Sequence, residues 1–249
     1  FTADEIWAGS DDGRIHITRD SGLTWTDITP EGMPALGTVD EIELSTHNPG
    51  QAYVAVQRYR LDDFRPYIFR TDDYGGSWML VVGGIPEDYP VRTVREDPEH
   101  EGLLFAGTEF GVFVTLNGGS TWQRFQRNLP ITPVTGMRIA HDDLILSTQG
   151  RSFWILDDIS PIREIGAAVE ANSYLFTPRT AVRLTNVGSA SMAEFTPDPR
   201  PAGALIHYYL AQEPEEEVRI EVVDDRGEVV HTFSSDSITA AESNGQKID

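Results

Sequence analysis

With 249 residues, 39 % of them hydrophobic, the chain is long enough for one large or two ordinary domains with real cores. Its 40 acidic and 19 basic residues leave a formal charge of −21, and Lys247 is the one lysine, so nucleic acid and anionic membrane are excluded as partners. Absence of cysteine removes disulfide and thiol chemistry, and no apolar run approaches the roughly 18 residues of a membrane span.

In chain order, Glu5 to Ala8 and Ile15 to Thr18 read as short strands joined by Ser10-Asp-Asp-Gly13, an Asp-Gly hairpin turn. Thr18-Arg-Asp20-Ser-Gly22-Leu-Thr-Trp25 follows, and Trp25 to Thr29 reads as an outer strand. A second unit runs through Val39 to Leu44, a turn at His47 to Gly50, Ala52 to Val56, a longer loop Gln57 to Pro66, and Tyr67 to Phe69. It ends on Thr71-Asp-Asp73-Tyr-Gly75-Gly-Ser-Trp78. The third has Val91 to Val94, a turn Glu96 to Gly102, Leu103 to Ala106, Gly111 to Val114, and Thr115-Leu-Asn117-Gly-Gly119-Ser-Thr-Trp122. A fourth has Gly136 to Ile139, Asp143 to Leu146 and Ser152 to Leu156. Ser147-Thr-Gln149-Gly-Arg151-Ser-Phe-Trp154 reads as a degenerate fourth copy of the Thr-x-Asp-x-Gly-x-x-Trp frame.

The three full copies start 53 and then 44 residues apart, a period that in β-rich units signals propeller blades. Within each frame, Thr and Asp side chains can bond the N–H groups of their own turn and Gly supplies a positive φ. The Trp is expected to cover the corner, which makes the frame structural. Each unit reads as strands A, B, C, corner and D, except that the first lacks strand A. An arc of four such blades leaves exposed edges and an unburied face. Residues 1–158, which open on Phe1 with no signal peptide, are therefore expected to be the end of a larger propeller whose remaining blades are partners.

Ser160-Pro-Ile-Arg-Glu164 reads as a single helical turn, with Ser160 as N-cap, inside a linker over residues 159–175. Beyond it, Ala204 to Leu210 and Val218 to Val222 alternate like half-buried strands, and Asp224-Asp-Arg-Gly227 turns the second into Val229 to Phe233. Residues 176–249 are read as a partial Ig-like β-sandwich. The expected fold class is all-β: a partial β-propeller followed by that partial sandwich.

The recurring frame resembles the Asp-box (BNR) repeat of sialidases, xyloglucanases and sortilin-type propellers. Leu61-Asp-Asp-Phe-Arg-Pro-Tyr67, Val94-Arg-Glu-Asp-Pro98, Ala106-Gly-Thr-Glu-Phe-Gly111 and Gly150-Arg-Ser-Phe-Trp-Ile-Leu-Asp-Asp158 look most like bacterial sortilin-type propeller proteins, often labelled glycosyl hydrolases. The resemblance implies a secreted, periplasmic or cell-surface protein and transfers no catalytic residues.

Antiparallel succession puts the Asp boxes and A–B turns at one end of each blade, and the B–C turns and D–A connections at the other. A long loop on a rigid scaffold suits binding, and equally a self-packed brace for blade three or the downstream domain. Arg58, Tyr59, Arg60, Asp62, Asp63, Phe64 and Arg65 are the candidate ligand contacts, together with Arg151. The leading function is a binding or scaffold module for a protein, peptide or glycan. The alternative is a glycoside hydrolase, which needs two carboxyl groups roughly 5–10 Å apart. Asp12, Asp63 and Glu109, in successive B–C turns, are the candidates for that pair. The six histidines show no metal-ligand spacing, and no cofactor motif is present.

Acid excess with one lysine suits a salt-rich habitat. If so, molar KCl or NaCl screens self-repulsion and raises the thermal midpoint. A midpoint that stays flat with salt contradicts that reading.

Overall fold

A computed structural model describes residues 3–181 and 203–236. The chain divides at Arg163/Glu164 into two units. In the first, blade one is the antiparallel sheet β1 (Ile6–Gly9), β2 (Ile15–Thr18) and β3 (Thr26–Asp27). Blade two is β4 (Thr38–Leu44), β5 (Ala52–Arg58), β6 (Asp63–Thr71) and β7 (Met79–Leu80). Blade three is β8 (Val91–Glu96), β9 (Leu104–Thr108), β10 (Gly111–Thr115) and β11 (Gln123–Arg124). Blade four is β12 (Val134–Ala140), β13 (Asp143–Thr148) and β14 (Phe153–Leu156). Blade one thus has strands B, C and D, as read from the sequence, whereas blade four, expected to be complete, has A, B and C and no described strand D.

Successive sheets stack face to face through three cores. Ile15, Ile17 and Ile28 meet Val54, Val56, Tyr67 and Phe69. Tyr53, Ala55 and Ile68 meet Val91, Val94, Leu104, Phe113 and Trp122. Leu103, Phe105 and Val112 meet Val134, Met137, Leu144 and Leu146. Strand β5 shows why its sequence is an unbroken apolar run. Side chains alternate across a pleat, so Val54 and Val56 serve one core while Tyr53 and Ala55 serve the next. Four sheets in series with a core between each pair form a partial β-propeller.

The box corners repeat one hydrogen-bond pattern. Thr18, Thr71 and Thr115 hydroxyls donate to Oδ1 of Asp20, Asp73 and Asn117 at 2.7, 2.9 and 2.8 Å, and accept from the N–H of Gly22, Gly75 and Gly119 at 2.9, 2.9 and 3.2 Å. The same Oδ1 accepts the Thr24, Ser77 and Thr121 N–H groups. Asn117 fits because its Oδ1 does the accepting, while its amide donates to Thr121 Oγ1 at 2.9 Å where Asp73 accepts from Ser77. These bonds to the ionised form, from the Thr24 hydroxyl first, hold the Asp20 carboxyl down at about 2.

The corners of blades two and three also grip the blade before them. Trp78 Nε1–H donates to the Ile28 carbonyl at 2.7 Å, and Trp122 Nε1–H to the Val81 carbonyl at 2.8 Å. Ile28 stands three residues after Trp25, and Val81 three after Trp78, so every acceptor follows the preceding box by a fixed step. A Cβ on Gly75 would sit 2.7 Å from Ile28 Cβ, and one on Gly119 would sit 3.1 Å from Val81 Cβ. The box Gly is therefore also a slot for the neighbouring outer strand.

Four expectations need correcting. Trp25 does not cover its corner as a buried residue: it is 45 % exposed, whereas Trp122 is 3 % exposed, because no described sheet lies against that corner. The degenerate copy at Ser147 to Trp154 is a B–C turn between β13 and β14 and no C–D corner. The stretch from Gln57 to Pro66 is mostly ladder, with only a 3-10 turn Tyr59–Leu61 and Asp62 between the strands. The supposed single turn is an eleven-residue helix, α1 (Ser160–Glu170), and Asp158 supplies the carboxylate that accepts the Ser160 N–H at 3.1 Å.

In the second unit β15 (Ser173–Leu175) pairs β16 (Tyr208–Leu210), and β17 (Arg219–Val223) pairs β18 (Val229–Ser234). The first is shorter than the expected Ala204 to Leu210 strand. Asp224 closes the second hairpin with its N–H on Glu228 O at 2.9 Å. The rest of the expected sandwich, at 182–202 and 237–249, lies outside the described residues. No described helix is long and apolar enough to cross a membrane.

Trp122→Ala should cost about 3–5 kcal/mol in denaturant unfolding, whereas Trp25→Ala should stay within about 0.5 kcal/mol. Equal losses would refute the blade-to-blade grip.

Candidate functional site

The B–C end of the propeller carries the candidate surface. The β5–β6 hairpin outgrows its neighbours because pairing resumes past a bulge after Val56, with Arg58 opposite Asp63. Asp62 takes φ 58°, and its N–H closes the tip on Tyr59 O at 3.1 Å. Asp63 holds the hairpin together. Its buried carboxylate accepts from Arg65 Nε and Nη2 at 2.9 and 2.8 Å and from Tyr67 Oη at 2.8 Å, and lies 3.5 Å from Arg58 Nη1. The Arg65 bonds, then the Tyr67 hydroxyl, keep this carboxyl far below the usual range. Burial and the Asp63 carboxylate push the Tyr67 phenol up to about 12. Arg58 Nε also reaches Ala35 O at 2.7 Å, tying the hairpin to the connection from blade one. Phe64, 49 % exposed, and the exposed Arg60 and Asp62 stand outward from this base.

Sequence reasoning missed the second half of the surface, which comes from the inner strands. β4, β8 and β12 each carry a bulge at the same place, skipping Asp40, Arg92 and Thr135. A bulge re-aims the extra side chain. Arg92 donates to Asp40 Oδ2 at 2.8 Å and to Glu109 Oε1 at 2.7 Å, and its guanidinium carbon lies 5.7 Å from the Tyr59 ring centroid. Burial raises the Asp40 carboxyl, partly offset by Arg92. Beside it, Tyr89 packs on Phe110 with centroids 4.7 Å apart. The signal was present: Val39-Asp-Glu-Ile42, Val91-Arg-Thr-Val94 and Val134-Thr-Gly-Met137 break two-residue alternation at one register.

Glu109 is thus joined to Tyr59 through Arg92. Asp12 is separate: it sits exposed in the blade-one turn, paired with Arg14 at 3.7 Å and with the Ser10 hydroxyl, which lowers its carboxyl. Arg151 lies exposed in the β13–β14 turn, where its carbonyl accepts from Trp154 Nε1 at 2.9 Å. Asp12, Asp63 and Glu109 do not share a partner among the described contacts.

Behind the surface, the inner strands are cross-linked by charge. Arg95 on β8 reaches Glu41 and Glu43 on β4, and donates to Met137 O on β12 at 3.1 Å. Glu43 also accepts the Glu96 N–H at 3.1 Å. Burial lifts the Glu43 carboxyl to about 7 against the pull of Arg95.

No family model and no curated protein matches the chain. Among solved structures, YCF48 bound to D1 peptide aligns with 15 % identity and TM-score 0.48, over 62 % of this chain and 47 % of that one. The GH74 xyloglucanase from Xanthomonas campestris aligns with 14 % identity and TM-score 0.48, over 66 % and 27 %. The GH74 enzyme of Niastella koreensis aligns with 19 % identity and TM-score 0.49, over 63 % and 27 %. This chain therefore spans under half the length of the first and about a quarter of the other two. The propeller assignment rests on the chain's own sheets.

Because the Glu43 carboxyl is raised in the fold, the folded state holds its proton where the unfolded chain has released it. Stability from this group is full below the ordinary glutamate range and is lost as pH rises towards about 7. Glu43→Gln should flatten the melt-versus-pH profile between about pH 5 and 7. An unchanged slope in the variant would assign it to other groups.

Proposed function

We propose that this chain is a propeller binding module, working at the cell surface or beyond it, that takes a protein, peptide or glycan ligand on its B–C end. The observation that supports this reading is the composition of that end. Around the β5–β6 hairpin, Arg58, Arg60, Arg65 and Arg92 face Asp40, Asp62, Asp63, Glu87 and Glu109, four against five and close to balance in a chain of net charge −21. Tyr59, Phe64, Tyr89 and Phe110 are interleaved with them. Rings on a hairpin already locked by Asp63 lose little freedom on binding. Local charge balance favours a ligand without strong net charge, because any charged one meets both signs at close range.

The second reading, a glycoside hydrolase completed by further blades, has one observation in its favour. Asp40 and Glu109 are held by the same guanidinium, and burial keeps the Asp40 carboxyl raised, which is how an acid and a base are separated in such sites.

Glycan and peptide arrays probed with wild type, Phe64→Ala and Arg60→Ala decide between them. The binding reading expects both variants to lose at least about tenfold in affinity, or ~1.4 kcal/mol, with melts unchanged. Binding that survives both substitutions rejects this face. Turnover of a glycan hit that is abolished by Asp40→Asn or Glu109→Gln selects the hydrolase.

A further inference from the structure

The box corners are interlocking parts, and one is open. At two of the three, the Trp indole N–H bonds the carbonyl three residues beyond the previous box Trp, and the box Gly receives that residue's side chain. The third corner, in blade one, has the same internal hydrogen bonds and the same positive φ, 90° at Gly22. Here the Trp25 N–H has no partner among the described residues. A Cβ on Gly22 would meet only Trp25 itself, at 3.9 Å. Ile6 and Trp25 are each 45 % exposed, whereas their counterparts in blade three, Leu104 and Trp122, are 0 and 3 % exposed.

Blade one is also prepared along its length. Ser21 N–H donates to Asp4 O at 3.0 Å, as Tyr74 N–H does to Gly50 O and Gly118 N–H to Gly102 O at 2.9 Å each. Asp4 therefore occupies the position that Gly50 and Gly102 hold at the end of the A–B turns of blades two and three. From these coincidences we propose that the Gly22–Trp25 corner is the docking site for the outer strand of one further blade of this repeat. Trp25 Nε1–H donates to the carbonyl of the residue three beyond that blade's own box Trp, and an aliphatic or aromatic side chain there fills the space over Gly22. This interface is independent of whether the B–C end binds a ligand.

A second copy of the chain is the wrong occupant. The other end of the blade series is blade four, whose last described strand carries Phe153 and Ile155, 74 and 58 % exposed. Among the described residues its sheet is β12-β13-β14 and stops at strand C, without the outer strand that supplies the acceptor carbonyl. Continuity with the two established corners selects a blade with its strand D in place.

The test extends the intact chain in register. Residues 38–101, a complete blade with the inner strand that follows it, are joined to Asp4, and the protein is labelled with 5-fluorotryptophan. Trp25 is assigned by Trp25→Phe. The proposal expects the H2O-to-D2O fluorine shift of Trp25 to collapse to the small value of Trp122. It also expects Trp25→Phe to lower the midpoint of the extended chain by several degrees, on the order of 2–4 °C, while the 249-residue chain stays within about 1 °C. A second extension, residues 91–141, whose acceptor is Phe125, repeats the measurement should the first not fold. Trp25 remaining solvent-shifted in both, or neither segment folding onto the chain, overturns the proposal. So does a head-to-tail dimer of the unextended protein that buries Trp25.

Discussion

Propeller sheets have no hydrogen bonds from blade to blade through their ladders, so something else must set the spacing between them. Along the inner strands the Arg95 and Glu43 contacts contribute; at the box corners it is the indole N–H of one box Trp on the backbone carbonyl beyond the previous box, at 2.7 Å for Trp78 and 2.8 Å for Trp122. A carbonyl in that position, just past a two-residue outer strand, would otherwise be left facing an apolar core. The bond satisfies it and places a large aromatic face on the seam. Box chemistry makes the corner rigid, the Gly opens the slot, and the Trp reaches across.

Irregular pairing and charge then fall on the inner strands. A bulge at one register in β4, β8 and β12 turns Asp40, Arg92 and Thr135 out of the alternation. Below it, Arg95 links Glu41 and Glu43 to the next blade, and Glu43 is buried deeply enough to hold its proton towards neutral pH. Above it, Arg92 gathers Asp40, Glu109 and the Tyr59 ring. The same device therefore cross-links the inner strands and builds half of the candidate surface.

Much of this was legible in the residues. Thr-x-Asp-x-Gly-x-x-Trp named the corners, and even the Asn117 copy works through the one oxygen the turn requires. Blade count and the missing strand A followed from spacing. What the sequence could not show was context. Trp25 carries the same frame as Trp122, yet its burial depends on a neighbour and not on its own turn. Pro66 and the charged run before it disguised a strand, because the bulge after Val56 shifts the register and puts Asp63 inward. Gly166, a poor helix former, concealed the length of α1. Of the binding surface, the hairpin half was visible as an unusual segment. Arg92 and Asp40 were not, since two polar residues in a strand read as a solvated face until the bulge is recognised.

Indole hydrogen exchange in the 249-residue protein tests the blade-to-blade bond most directly, with the five Trp Nε1–H signals assigned by single Phe substitutions. Trp78 and Trp122, bonded across seams that open only with unfolding, should exchange at least about 100-fold more slowly than Trp25. Exchange of Trp122 as fast as Trp25 would mean that the seam carries no such bond, and the account of how these blades are held would fail.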